Sequence, residues 1–308
     1  MAGTTGSPLR KRSGVPVPAM TSSTSSDNAP ALLEVRSVSK SFGIGPLRHP
    51  VLDDCSFTLE AGRLTALIGP SGCGKSTLVN ILAGYESVDV GEVLLLGAPV
   101  RGPGIDRLVV FQETALFPWM TTYKNVAYGP RVARSRPHAE IHADADRLLE
   151  TVGLADFKDK YPNQLSGGMQ RRAELARAMI NNPRIMMLDE PFRGLDAMTR
   201  ELMQEYFVRL YEDRRQTVLF VTSEIDEAIF LADKLLIMSN QPGRIKKTMT
   251  IALARPRKPS LLTSAQYLEH KEEASEALHA EAVKAFAGGS KAATDFLEAY
   301  AARDRQTT

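Results

Sequence analysis

The stretch Gly69–Thr77, GPSGCGKST, decides the fold. An apolar run, RLTALI, leads into it, and a helical pattern, STLVNILAGY, leads out. Strand, glycine-rich turn and helix in that order, with the spacing G-x-x-x-x-G-K-[ST], describe a loop built to hold phosphate. Gly69, Gly72 and Gly74 let backbone N–H groups approach an anion, and the helix N-terminus adds partial positive charge. Pro70, Ser71 and Cys73 complete the turn, with Cys73 as a small filler. Lys75 is placed to reach the β- and γ-phosphates, Ser76 to ligate Mg²⁺, and Thr77 to support a phosphate nearby.

Two further pieces belong with this loop. RIMMLDE (Arg184–Glu190) is an apolar strand that delivers two acids at its carboxyl end. Asp189 is expected to hold Mg²⁺ through water, and Glu190 to accept a proton from the attacking water. Alone, such a strand end is also a common turn. LSGGMQRRAELARAM (Leu165–Met179) opens a helix with Ser166, Gly167 and Gly168, a second anion-binding N-terminus that also fits an ordinary N-cap.

Around these motifs the chain alternates strand and helix. LLEVRSVSKSF and VLDDCSFTLE read as short strands before the loop. After it, RLVVFQ, RIMMLDE and TVLFVT read as strands, while HADADRLLETVGL, MQRRAELARAMINN and AMTRELMQEYFVRLYEDRR read as helices. Continuous apolar runs of this kind predict an α/β fold with a mostly parallel sheet covered on both faces. Residues 1–31, rich in Ser, Thr, Pro, Ala and Gly, are expected to be a disordered extension, with Met20 an alternative start. They hold a basic cluster but no apolar signal-peptide core. After the Pro-rich ARPRKPS, residues 255–308 form an Ala/Glu/Lys-rich helical tail, with one helix over 264–287 and a shorter one near 292–301. Its amphipathic positions, Tyr267, Leu268, Ala274, Leu278, Ala282 and Phe286, suit docking on the core or on a second subunit.

At 308 residues and 43% apolar, the chain can bury one large core with appendages. A net charge of +2 gives no electrostatic reason to expect nucleic acid. Two cysteines, Cys55 and Cys73, form neither a disulfide framework nor a metal cluster, which fits a reducing cytosol. No apolar run approaches the roughly 20 residues of a membrane span, so any work at a membrane goes through a partner.

With these pieces in order, the chain resembles the ATP-binding cassette (ABC) ATPases of membrane transporters over about residues 33–252. The resemblance implies a P-loop NTPase fold: a RecA-like core with an antiparallel β subdomain and a helical signature subdomain over about residues 114–180, within a cassette spanning 32–254. It implies ATP and Mg²⁺ as ligands, and two cassettes closing head to tail so that LSGGMQ of one covers the γ-phosphate held by the other. The pairing, between like or unlike chains, stays open. By the same resemblance Phe42 stacks on adenine, Gln112 contacts Mg²⁺ and the attacking water, and Asp196 lies at the dimer interface. Coiled-coil ATPases of DNA repair fit less well, because fewer than a hundred residues without heptads separate the loop from the signature.

The stretches ALFPWMTTYKNVAYGPRV, DEPFRGLDAMTRELMQ and DEAIFLADKLLIMSNQPGRI resemble the importer cassettes of the nitrate, sulfonate and taurine type. That likeness implies membrane permease subunits, an extracytoplasmic solute-binding protein acting indirectly, and a peripheral place on the cytoplasmic face of the inner membrane. Phe117 and Trp119 are then candidates to receive a permease helix or, equally, to pack the helical subdomain. Cassettes found near urea- or guanidine-using enzymes share GPSGCGKSTLVNILAGYE, which keeps that cargo class open.

Ser223 departs from the pattern. VTSEIDEA (Val221–Ala228) stands where such cassettes usually read VTHD, the histidine contacting the γ-phosphate. Serine donates one hydrogen bond, is shorter and carries no charge. Read locally, Ser223 with Asp226 three residues on is close to a capping box and needs no ligand. The alternative to an active ATPase is a regulatory or catalytically weak cassette paired with another.

Overall fold

The computed structural model describes residues 31–287. The expected N-terminal extension up to residue 30 and the short helix near 292–301 lie outside the described residues. In chain order the elements are β1 (Ala31–Phe42), β2 (His49–Glu60), β3 (Leu64–Ile68), α1 (Lys75–Ala83), β4 (Val90–Leu95), β5 (Ala98–Pro99), β6 (Arg107–Val110), α2 (Thr122–Val132) and α3 (His138–Thr151). There follow α4 (Gly167–Met179), β7 (Ile185–Asp189), α5 (Ala197–Arg214), β8 (Thr217–Val221), α6 (Ile225–Leu231), β9 (Lys234–Met238), β10 (Ile245–Thr250) and α7 (Ala265–Ala287).

Two sheets carry the chain. The first is antiparallel, in the order β2-β1-β4-β5, and the second runs β10-β9-β3-β8-β7-β6. From β9 to β6 every pairing in the second sheet is parallel, and β10 closes it antiparallel to β9. The strand residues show why. Met186 and Leu188 of β7 face one hydrophobic cluster while Ile185 and Met187 face another, so the strand is apolar on both sides. One cluster lies against α2 to α7, and the other joins α1 to the antiparallel sheet.

Several boundaries differ from expectation. β1 starts at Ala31, inside the expected extension, because Ala31 pairs with Glu60. β6 ends at Val110, two residues before Gln112. Helix α2 and strands β9 and β10 were not expected. Gly129 and Pro130 mask α2 by their poor helix propensity, yet a side chain on Gly129 would overlap Asn181, so glycine is what lets α2 approach the end of α4. The Pro-rich segment after β10 is no free linker. Arg255 donates to Asp233 at 2.6 Å and to Glu212 at 3.0 Å, and buried Arg257 donates to the Ala232 carbonyl at 2.6 Å.

Candidate functional site

The glycine loop joins β3 to α1 at the carboxyl edge of the parallel strands, where ligands sit in such sheets. Gly74 caps α1 with φ +100°, and a Cβ there would come within 2.7 Å of Leu52 Cδ2, so only glycine fits. Lys75 is buried, and its ammonium donates to the carbonyls of Gly69 (2.9 Å) and Pro70 (3.0 Å). Cys73 is fully buried beneath the loop, while Ser71 and Gly72 lie on its exposed side and Thr77 is half-buried.

Strand β7 brings the acids to this loop. Ser76 stands beside the Asp189 carboxylate, bringing the two motifs together. Burial above all pushes the Asp189 carboxyl up; the Ser76 hydroxyl works against this, Glu190 beside it adds to it, and Lys75 offsets part. A half-buried carboxylate next to a second acid and a hydroxyl is a hard-oxygen donor set of the kind Mg²⁺ takes beside substrate phosphates, so the residues fit that ion. Glu190 adopts φ 46°, and its N–H donates to the Val221 carbonyl at 2.9 Å, tying the end of β7 to the end of β8. Its carboxylate accepts from Arg193 at 2.8 Å.

The switch residues follow β8. Ser223 is exposed and does not cap α6: the helix starts at Ile225 with Glu224 as N-cap, and the Thr222 hydroxyl accepts the Glu224 N–H at 3.1 Å. The expected capping box fails because its acid is engaged elsewhere, Asp226 accepting from the Tyr267 hydroxyl at 2.6 Å and from Lys271 at 3.0 Å. Instead Ser223 lines a cavity of about 30 Å³ with Glu190, Arg193 and Thr222.

Gln112 lies in the loop after β6, exposed. Sequence reading missed what holds that loop. Buried Arg171 of α4 donates to the carbonyls of Phe111, at 2.9 Å, and Gln112, and pairs with Glu174 at 2.6 Å. Glu174 in turn accepts the Ala115 N–H at 3.0 Å. Burial pushes Glu174 up and Arg171 down, and their mutual attraction opposes both shifts. The only signal was an arginine and an acid three apart in a helix, a pattern common on any surface.

Ser166 caps α4 through its hydroxyl, which accepts the Met169 N–H at 3.3 Å, and Gly167 and Gly168 form its first turn. A Cβ on Gly168 would lie 3.1 Å from Thr199, so the signature borders the start of α5. There Asp196 is exposed and acts as N-cap, accepting from the Thr199 N–H at 3.0 Å and hydroxyl at 2.6 Å. Among the described residues no hydrogen bond joins this signature turn to the glycine loop. Phe42 ends β1 with its ring 42% exposed and Lys40 5.3 Å from its centroid, apart from the core.

This geometry has counterparts. Residues 52–193 match the ABC transporter family. A taurine import ATP-binding protein of Roseobacter denitrificans is 43% identical over 203 residues, covering 66% of this chain and 75% of the relative. The chain belongs to the ABC transporter ATP-binding proteins. A bicarbonate transport ATP-binding protein of Synechocystis sp. is 43% identical over 242 residues, 78% of this chain and 86% of its own. Among solved structures, a dimeric post-hydrolysis ATP-binding cassette bound to ADP and Pi superposes with a TM-score of 0.61 at 26% identity, over 72% of this chain and all of that one. This cassette is therefore an ATP-binding ATPase subunit of an importer for small solutes. No helix among the described residues is long and apolar enough to cross a membrane.

Proposed function

We propose that this cassette hydrolyses ATP with Glu190 as general base, in a head-to-tail pair of cassettes whose closure and opening move two permease subunits. The observation that carries this reading is that Ser76 and Lys75 of the glycine loop and Glu190 all act on the Asp189 carboxylate, which supports one site built from the loop and the acidic strand. Lys75, wrapped by the loop carbonyls, would turn to the β- and γ-phosphates. Ser76 and Asp189 would hold Mg²⁺, with Gln112 at its outer side; the ion supplies charge neutralisation on the phosphates. Water attacks the γ-phosphorus, its proton passes to Glu190, and the bond to the bridging oxygen breaks with its electron pair leaving on ADP. Ser166 to Gly168 of the second cassette, like or unlike, would close over the γ-phosphate, with Asp196 at the joint and Phe42 against adenine.

The relatives support a reading of cargo and partners. Taurine and bicarbonate are small and carry an anionic group, which favours a solute of that class, delivered by an extracytoplasmic binding protein; a urea- or guanidine-related solute is the other option. Trp119, 69% exposed, stacks at 5.5 Å on Phe117, which with Phe111, Tyr128 and Arg177 lines a groove of about 430 Å³ that suits a permease helix. The subunit would sit on the cytoplasmic face of the membrane.

A second reading has its own observation: exposed Ser223 brings no cation to the cavity beside Glu190. In that reading the chain binds ATP and leaves turnover to a partner cassette. Steady-state Mg-ATPase of the complex with its permease subunits decides, comparing wild type, Glu190→Gln and Ser223→His. Wild-type turnover that Glu190→Gln abolishes supports hydrolysis. ATP binding without turnover, restored by Ser223→His, supports the regulatory reading.

A further inference from the structure

We infer that Arg193 is a positioning residue for hydrolysis: its guanidinium holds the Glu190 carboxylate and supplies the cation that Ser223 does not. The inference rests on the hydrolytic reading above. Arg193 lies in the turn between β7 and α5, where its N–H donates to the Glu190 carbonyl at 3.2 Å and its Nη1 to Glu190 Oε2 at 2.8 Å. Two contacts fix the base from opposite ends. The Glu190 backbone is tied to Val221, and its side chain is tied to Arg193. Next in the turn, Phe192 is buried against Phe207 and Phe220, so the turn that presents Arg193 is anchored in the core.

The charges around the cavity point the same way. Its acids are Glu190, Glu224 and Glu227, and its cations are Arg193 and Arg200. Arg200 is committed elsewhere, donating to the Leu195 carbonyl at 3.1 Å and lying 3.8 Å from Glu224. Glu227 is turned toward Gln204, whose amide donates to it at 2.9 Å. Among the described residues Arg193 alone bonds the Glu190 carboxylate, and its side chain is 58% exposed against 12% for Glu190, so it can follow the carboxylate when phosphate arrives. A carboxylate facing a nucleotide's terminal phosphate is repelled unless a cation accompanies it. A planar guanidinium, always charged, does this with directed hydrogen bonds.

The test is steady-state Mg-ATPase of the transporter complex with Arg193→Ala, Arg193→Lys and the double change Arg193→Ala/Ser223→His, alongside wild type and Glu190→Gln. Arg193→Ala should lower kcat about 10-fold or more while KM for ATP moves less than about 3-fold, the pattern of an interaction used in the transition state. Arg193→Lys should recover part of the rate, and Ser223→His should restore more activity in the Arg193→Ala background than in wild type. An Arg193→Ala kcat within about 2-fold of an active wild type overturns the inference and leaves the hydrolytic reading standing. So does a lost kcat that Arg193→Lys and histidine both fail to recover, since that marks a fold defect. A wild type no faster than Glu190→Gln overturns the hydrolytic reading and this inference with it.

Discussion

Cys73 has no exposed surface beneath the glycine loop, its sulfur so close to Gly69 that a Cβ there would come within 2.8 Å. Cys55 is equally covered and donates its S–H to the Gly243 carbonyl at 3.2 Å. Burial pushes both thiols up, Cys55 to about 11. Because the thiolate is the reactive form, neither cysteine should react with a maleimide in the native protein at neutral pH, and both should react once it is denatured. Mass spectrometry before and after unfolding checks this; a native adduct on Cys73 would mean that the loop opens in solution. At this scale the sequence spoke clearly where a motif carries its own geometry, as with Gly74, Lys75 and Asp189. Ser223 was harder, because the acid that a local cap needs is bonded to Tyr267, 41 positions away. Local pattern has no access to such a competitor. Arg193 was passed over for the same reason: nothing in DEPFRGLD says that its side chain folds back on Glu190.

The elements tell a similar story about α7. Tyr267 is buried at its start, Ala274 is fully buried a few turns on, and Lys246 and Lys247 of β10 pair with Glu281 and Glu273. The sequence expected the amphipathic helix, and of its positions Tyr267 and Ala274 face the core while Leu268 remains exposed. The side chains of Ala282 and Phe286 fall outside the described set. One of its polar anchors is Asp226 of α6. Partial burial raises that carboxyl, but Lys271 and Tyr267 together hold it below the usual aspartate range. A depressed folded value means the contact stabilises the docked helix above the unfolded aspartate value of about 4 and is lost as pH falls through the lower folded value. Amide exchange across α7, corrected for its intrinsic pH dependence, should therefore rise on acidification below about pH 4. Asp226→Asn should raise it at neutral pH and weaken the pH response; unchanged exchange in that variant would show that the Glu281 and Glu273 pairs and the apolar contacts hold α7 without Asp226. Helix α2 was illegible for the opposite reason. Its Gly129 lowers local propensity, and the benefit lies in a close approach to Asn181 that only the folded chain reveals.

On the scale of the whole molecule, the parallel sheet and its order of loop, signature and acidic strand were legible because each rests on periodicity or motif spacing. The closing pair β9 and β10, and the way Arg255 and Arg257 sew the tail to the end of α6, were not, since they depend on long-range pairing. Within one chain the signature turn borders α5, and among the described residues no hydrogen bond joins it to the glycine loop. The groove lined by Phe117 borders the helical layer, where Phe117 packs between Tyr128 (4.8 Å) and Arg177 (4.7 Å). Those contacts make Phe117 part of the subdomain and leave Trp119 available. Trp119→Ala should weaken capture of the cassette by its permease subunits about 10-fold or more in a pull-down titration, with ATP binding unchanged, as for an aromatic interface anchor. Equal capture would remove the docking role. The two sealed thiols carry a practical consequence for watching such assembly. Toward sulfhydryl dyes this chain should behave as though it had no cysteine at all, so a single one introduced at exposed Leu268 would give a uniquely labelled cassette whose fluorescence follows the tail in real time.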